Sequence, residues 1–233
     1  MLITGGLFTS GVQLQQYVAS AAPPIVSTPL FNATSENDWT GVTVINSPTL
    51  REGKYLEFTG SQALSTDYID TGTLINDDYT YEFWLRTAPG NGGALLTKQA
   101  VGGYTVSAIE LNTTTSMIVG YWTEPQSYQA VPTAITRDVW QHYTVTYNTV
   151  TGYLKTYFNG SLVDTTTLAP EVSPRDYGSY SQMYFDMFTF SPTNFGNGGA
   201  LTADFGEFRL YTRALSDAEV LQNFEATRGR WGI

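Results

Sequence analysis

Two carboxylates are candidates for chemistry because each sits inside an aromatic, strand-like run: Glu82 in YEFW and Glu207 in FGEF. Hydrolysis of a glycosidic bond needs two such groups about 5 to 9.5 Å apart across the scissile bond. Glu82 and Glu207 are single acids on separate runs. Each is followed on the same side of its strand by an arginine, Arg86 four residues on and Arg209 two residues on. That spacing predicts ion pairs or solvated side chains in place of a catalytic dyad, and no catalytic residue is assigned. His142 is the sole histidine. A lone histidine does not make a multi-histidine metal site, and no Ser/His/Asp arrangement surrounds it, so it is predicted to be a structural hydrogen-bonding residue.

Sugar recognition needs exposed aromatic faces beside groups that bond hydroxyls. GYWTEPQSY supplies Trp122, Glu124, Gln126 and Tyr128, and RDYGSYSQMY supplies Tyr177 and Tyr180, both read as loops. Trp122, Tyr128, Tyr177 and Tyr180 are therefore the candidate carbohydrate-binding residues, with Trp122→Ala expected to weaken glycan binding at an unchanged melting temperature. The competing explanation is packing between strand edges, since the chain has 16 tyrosines to place.

The composition says what must position such residues. Charged residues make up only 14% of the chain and aromatics another 14%, a mixture that favours pleated, half-buried surfaces over helices. Many short apolar runs separated by turn signals predict an all-β sandwich or barrel. The runs are KYLEF, YTYEFWLRT, GALLTK, YTVSAIEL, SMIVGYW, HYTVTYN, YLKTYF, SLVDTTTL, MYFDMFTF and DFGEFRLYT. Asn159-Gly160, between two of them, predicts a tight hairpin turn with positive φ angles. One helix is expected, at the C-terminal end: Ser216 and Glu219 have capping-box spacing, Val220, Leu221 and Phe224 form an apolar stripe, and Gly229 is the predicted stop.

The net charge of -10, with basic residues scattered and none before Arg51, excludes a phosphate-binding nucleic-acid surface. No apolar run approaches the roughly 18 residues of a membrane span. There is no cysteine, hence no disulfide framework or thiolate chemistry.

Four segments in order resemble the concanavalin A-like lectin/glucanase superfamily, and within it the laminin-G-like jelly rolls. These are LEFTGSQALSTDYIDTG, then YTYEFWLRT with GALLTKQ, then WQHYTVTYNTVTGYLKTYFNGSLV, then GEFRLYTRALSDAEVLQNF. The third is the most specific, carrying Trp140, His142, Tyr147, Leu154, Tyr157, Asn159 and Gly160 at the family's spacings. The resemblance implies a two-sheet antiparallel jelly-roll sandwich with one short C-terminal helix and an extended N-terminal arm. That fold hosts lectins, glycosidases, adhesion modules and viral structural proteins, so it does not choose among them. Glycosidases of the superfamily commonly carry a Glu-x-Asp-x-x-Glu strand, which is missing here. Calcium is the one cofactor the resemblance implies, with Asp67 and Asp70 as candidate ligands and Asp77 and Asp78 beside them. Relatives often place an Asp just before the Glu of the closing strand, where this chain has Gly206. The ending NFEATRGRWGI is similar to laminin-G-like proteins of phage particles.

Residues 1–35 contain no Asp, Glu, Lys, Arg or His. The stretch lacks the basic start of a signal peptide, and Gly and Gln interrupt its apolar residues. Left free it would expose hydrophobic surface, so it is expected to dock. It either anchors to another subunit by β-augmentation or covers an edge of its own sandwich. The expected organisation is an anchor over residues 1–38, contacting through Leu2, Ile3, Leu7, Phe8, Val12, Leu14, Tyr17 and Val18, and a sandwich over 39–233. The expected function is a non-enzymatic structural or adhesion protein of a virion, such as a phage capsid decoration or fibre component. Its partners would be other virion proteins or copies of itself, and surface glycans. The alternatives are a carbohydrate-binding lectin module of a secreted or cell-surface protein and, behind it, a glycoside hydrolase.

Overall fold

In the computed structural model the described residues are 31–32, 42–45, 49–52, 54–59, 63–66, 78–90, 93–100, 104–111, 117–121, 127–131, 135–167, 183–186 and 202–233. They form two antiparallel sheets and one helix. The first sheet contains β1 (Phe31–Asn32), β3 (Thr49–Arg51), β4 (Tyr55–Thr59), β6 (Tyr79–Thr87), β11 (Gln141–Asn148), β12 (Tyr153–Phe158), β13 (Ser161–Thr167) and β15 (Thr202–Tyr211). The second contains β2 (Val42–Ile45), β5 (Ala63–Thr66), β7 (Gly93–Ala100), β8 (Tyr104–Leu111), β9 (Met117–Tyr121), β10 (Ser127–Val131) and β14 (Met183–Asp186). The strand orders are β13-β12-β11-β6-β15-β4-β3, with β1 also beside β15, and β10-β9-β8-β7-β14-β5-β2. This is the expected jelly-roll sandwich.

Alternation along β6 explains where the core sits. Tyr79, Tyr81, Phe83 and Leu85 point inward, and their cross-strand partners on β11 include Tyr147, Val145 and Tyr143. Phe83 stacks on Tyr143 with ring centroids 5.3 Å apart, and Tyr143 meets Phe158 edge-on at 4.9 Å. The other face of β6 carries Thr80, Glu82, Trp84 and Arg86, a polar pattern that normally faces water. Here only Arg86 of the nine residues is not fully buried, because helix α1 (Asp217–Trp231) lies over that face.

Local signals fix α1 at its start. Ser216 Oγ accepts from Glu219 N, and the Glu219 carboxylate accepts in return from Ser216 N at 2.8 Å. Asp217 ties this end to the sheet, accepting from Tyr157 Oη and Lys155 Nζ, each at 2.7 Å. The predicted stop at Gly229 is corrected: the helix continues to Trp231 and ends at Gly232, which takes the left-handed φ of 81°. Gly229 has open space around it, so its presence only weakens the helix, by about 1 kcal/mol relative to Ala. Burial of Trp231, 4% exposed, favours the extra turn. Leu221, placed on the apolar stripe, is 47% exposed, and the buried face is instead Val220, Asn223, Phe224, Thr227 and Trp231.

Asn159 (φ 48°) and Gly160 (φ 74°) make the predicted tight turn. Asn159 Oδ1 accepts from His142 N at 2.9 Å while its own N–H donates to His142 O at 2.8 Å, so the turn also caps the neighbouring strand. A Cβ at Gly160 would lie 3.0 Å from Phe224 Cδ1, so this turn is packed beneath the helix.

Phe31 and Asn32, at the end of the uncharged N-terminal run, pair with Leu210 and Arg209 of β15. That short strand occupies the side of β15 that β4 occupies at residues 202–205. The remaining anchor candidates, Leu2, Ile3, Leu7, Phe8, Val12, Leu14, Tyr17 and Val18, lie outside the described residues. Among the described residues no helix is long and apolar enough to cross a membrane.

Candidate functional site

Two polar constellations lie on the outer face of the first sheet, and they differ in access. One is sealed beneath α1. Arg209 Nη1 donates to Glu82 Oε1 at 2.6 Å, and its Nη2 donates to Glu207 Oε2. Asn223 Nδ2 of the helix donates to Glu82 Oε2 at 2.7 Å and to Tyr211 Oη at 3.0 Å. Arg230 Nη1 reaches Glu207 Oε1 at 2.9 Å. Side-chain exposures are 0% for Glu82, 4% for Glu207 and 2% for Arg209, so the two acids singled out in the sequence share one buried guanidinium. The expected partnership of Glu207 with Arg209 is present. Arg86, the other candidate partner, instead turns to Asp204.

His142 is fully buried, its ring 5.0 Å from Trp84 and 5.8 Å from Phe224. Its Nε2 lies 3.5 Å from Glu82 Oε1, too long for a good hydrogen bond, and neither ring nitrogen has a partner among the described residues. The role is structural, as expected, but it works through stacking and backbone bonds and not through ring hydrogen bonds.

Burial alone would raise the Glu82 carboxyl, but His142, Arg209 and Asn223 outweigh that and hold it at about 2, below its ordinary 4.5. Folded Glu82 thus binds its proton more weakly than unfolded Glu82. Its stabilisation is complete above about pH 4.5 and is lost as pH falls towards 2. Urea unfolding followed from pH 7 to pH 2.5 is expected to give a midpoint that is flat near neutrality and drops below pH 4.5. In Glu82→Gln that drop is expected to be shallower.

The second constellation is open. A cleft of about 370 Å³ is lined by Glu57, Phe58 and Thr59 of β4, Arg86 and Thr87 of β6 with Ala88, Asp138, and Thr202 to Asp204 of β15. Register places these groups together: Asp204 faces Glu57 on one side and Arg86 on the other. Arg86 Nε donates to Asp204 Oδ2 at 2.7 Å, and its Nη2 donates to the same oxygen. Arg51 grips Glu57 Oε2 through Nε at 2.8 Å and Nη2 at 2.5 Å. Two half-buried aromatics flank this row. The Arg86 guanidinium carbon lies 5.5 Å from the Tyr55 ring and 5.4 Å from the Trp140 ring, and those rings meet edge-on at 5.3 Å. Trp140 in turn packs on Trp231 at 4.3 Å, which ties the rim of the cleft to the helix.

Gly206 explains the departure noted in the closing strand. A Cβ there would fall 2.3 Å from Trp231 Cη2, so the position where relatives often carry an aspartate is taken up by an indole. β15 bulges against β6 between Phe205 and Phe208, which turns Glu207 towards Arg209 and Arg230. Asp78, grouped with the candidate calcium ligands, is a turn brace instead. It accepts from Thr149 N at 2.7 Å, Thr149 Oγ1 at 2.8 Å and Asn148 Nδ2 at 3.0 Å. Asp67, Asp70 and Asp77 lie outside the described residues, and no cluster of three metal-ligating side chains occurs among those described.

Of the sequence's sugar candidates, Trp122, Tyr177 and Tyr180 lie outside the described residues. Tyr128, read as a loop residue, stands on β10 opposite Gly120 of β9. The cleft itself was missed because its lining comes from four separated segments. Outward-facing charged residues on neighbouring strands were the available signal.

A family model of the concanavalin A-like lectin/glucanases superfamily matches residues 58–221, from β4 into α1. The chain belongs to the concanavalin A-like lectin/glucanase superfamily. Comparison with curated proteins gives no match. Among solved structures this superfamily member is similar to the botulinum neurotoxin serotype D binding domain, with a TM-score of 0.61 at 13% identity over 84% of this chain and 51% of that one. It is also similar to botulinum neurotoxin type C, whose cell entry depends on interaction with two ganglioside molecules, with a TM-score of 0.58 at 16% identity over 79% of this chain and 46% of that one. A third similar structure is the binding domain of botulinum neurotoxin DC in complex with SialylT, with a TM-score of 0.58 at 14% identity over 79% and 46%. The chain spans about half the length of these structures. At such identities the likeness is one of fold.

Proposed function

We propose that the chain is a non-enzymatic carbohydrate-binding adhesion module whose sugar site is the cleft between Glu57, Arg86, Asp138 and Asp204. The observation that carries this reading is the cleft's make-up: a fixed Arg86–Asp204 pair offering donors and acceptors, set beside the half-buried rings of Tyr55 and Trp140. Sugars are bound by this combination of apolar ring face and directed polar groups. Fold neighbours that engage a ganglioside or SialylT support the same class of ligand. Glu82 and Glu207 favour binding over hydrolysis. Both are buried and neutralised, and Glu82 at about 2 is the reverse of the raised carboxylic acid that glycoside hydrolysis requires.

Thr59, exposed on the rim, gives a clean test. Thr59→Trp is expected to fill the cleft and abolish binding on a glycan array while leaving the melting temperature unchanged. Retained binding by that variant places the sugar elsewhere, and Trp122→Ala then becomes the substitution to measure. No release of reducing ends from polysaccharides is expected from the native chain.

The finer reading is that the module works from a virion, held there by its uncharged arm. Support comes from the run without charge over residues 1–35 and from the similarity of NFEATRGRWGI to phage laminin-G-like proteins. Because Phe31–Asn32 completes the sandwich sheet, the anchoring portion on this reading is residues 1–30. A chain lacking them is expected to stay folded and monomeric by light scattering while failing to assemble with its particle or with other copies. Normal assembly of the shortened chain would contradict the anchor.

A further inference from the structure

On the reading that the cleft takes a sugar, its charge determines which sugar. The lining carries three carboxylates, Glu57, Asp138 and Asp204, against one guanidinium, Arg86. Arg86 directs Nε and Nη2 at Asp204 Oδ2, with Nη2 also 3.4 Å from Tyr55 Oη, which leaves Oδ1 without a partner among the described residues. Arg51 likewise directs Nε and Nη2 at Glu57 Oε2, which leaves Oε1 without a partner among the described residues. The exposed Asp138 carboxylate is engaged by nothing among the described residues, and a φ of 60° fixes its backbone, with its N–H donating to Thr87 O at 3.0 Å. Thr87 in the cleft lining is 2% exposed and buries a hydroxyl that has no partner among the described residues. Spare acceptors therefore outnumber spare donors.

We infer that this cleft discriminates among sugars by charge, taking an amino sugar with a free ammonium group in preference to its neutral N-acetylated counterpart, and either in preference to a uronic or sialic acid. An ammonium group and hydroxyls bring the donors that the free carboxylate oxygens lack. A ligand carboxylate would meet like charges with Arg86 and Arg51 already paired to Asp204 and Glu57, an arrangement that selects by repulsion. This ligand class differs from the SialylT bound by the neurotoxin DC neighbour, so the fold likeness does not supply it.

The test is titration calorimetry of the full-length chain with three short probes: a glucosamine trimer, the N-acetylglucosamine trimer and sialyllactose. Because the protein as a whole is acidic, the Thr59→Trp variant, which keeps every charge, separates cleft binding from general attraction. The expected result is affinity in the order amino, neutral, acidic, lost in Thr59→Trp. Asp138→Asn, an exposed change, is expected to narrow the preference for the amino sugar about threefold, the effect of one charge at roughly 6 Å in a water-like dielectric. The inference is overturned, with the sugar-binding proposal intact, if sialyllactose binds the cleft as well as or better than the amino sugar. It is also overturned if amino-sugar binding survives Thr59→Trp or if Asp138→Asn leaves the order and spacing unchanged. If none of the probes binds and a broad glycan array is equally silent, the sugar-binding proposal itself falls.

Discussion

Replacing Arg209 by Leu is expected to cost about 3–5 kcal/mol of folding stability at pH 7, because it strands two buried carboxylates that now share its guanidinium. The effect comes chiefly from what is left behind. Glu82 is fully buried, and the one hydrogen bond left to it among the described residues comes from the Asn223 amide at 2.7 Å, with the His142 ring nitrogen 3.5 Å away. Glu207 keeps Arg230 at 2.9 Å and suffers less. Two consequences distinguish this account from a simple loss of packing. Adding Glu82→Gln to Arg209→Leu removes the stranded charge, so the double variant is expected to be more stable than Arg209→Leu alone. The deficit of Arg209→Leu should also shrink as pH falls and Glu82 takes up a proton. Urea unfolding of the two single variants and the double variant, at pH 7 and pH 4, measures both. If the single and double variants prove equally unstable at both pH values, the network is not an electrostatic unit.

Replacing Trp231 by Ala is expected to cost a similar amount, about 3–5 kcal/mol, the usual range for truncating a buried Trp. Its indole packs against Trp84 at 5.6 Å and Trp140 at 4.3 Å, and lies over Gly206 where a Cβ would stand 2.3 Å away. The helix would then end nearer Gly229, since burial of this ring favours the last turn. A functional consequence follows, because Trp140 flanks Arg86 in the cleft. Trp231→Ala is therefore expected to weaken sugar binding even where the protein remains folded. Thermal melts and a binding isotherm at 15 °C read the two effects separately. A destabilised variant with native affinity would show that the helix and the cleft are uncoupled.

What was legible in the sequence follows the range of the interactions. Asn159-Gly160 and the Ser216/Glu219 box were readable because a turn or a cap is specified within four residues. YTYEFWLRT was readable as a strand from its alternation, but not as a strand buried on both faces. That burial depends on a helix more than 130 residues later in the chain, of which Asn223 and Thr227 reach Glu82 and Trp84. The helix end was misread for the same reason, since Gly229 is a local signal and Trp231 answers to Gly206 on another element. Glu82 reads in sequence as an acid paired with Arg86 or solvated, because its true partner Arg209 is 127 residues away. The short strands Val42–Ile45, Thr49–Arg51, Ala63–Thr66 and Ser127–Val131 were passed over, the last because Gln, Ser and Pro nearby read as a loop. The cleft could be assembled only from register: Glu57, Asp204 and Arg86 are neighbours on three strands but lie far apart in sequence.

Whether the cleft beside Tyr55, Arg86 and Trp140 binds a sugar is tested most directly by a map of where the sugar sits. Amide and indole resonances of the full chain would be followed during titration with the tightest ligand from the glycan array. Shifts are expected to concentrate at Glu57 to Thr59, Arg86 to Ala88, Asp138, the Trp140 indole and Thr202 to Asp204. Shifts gathered instead at the connection after Tyr121 that contains Trp122, with these residues silent, would contradict the proposed site.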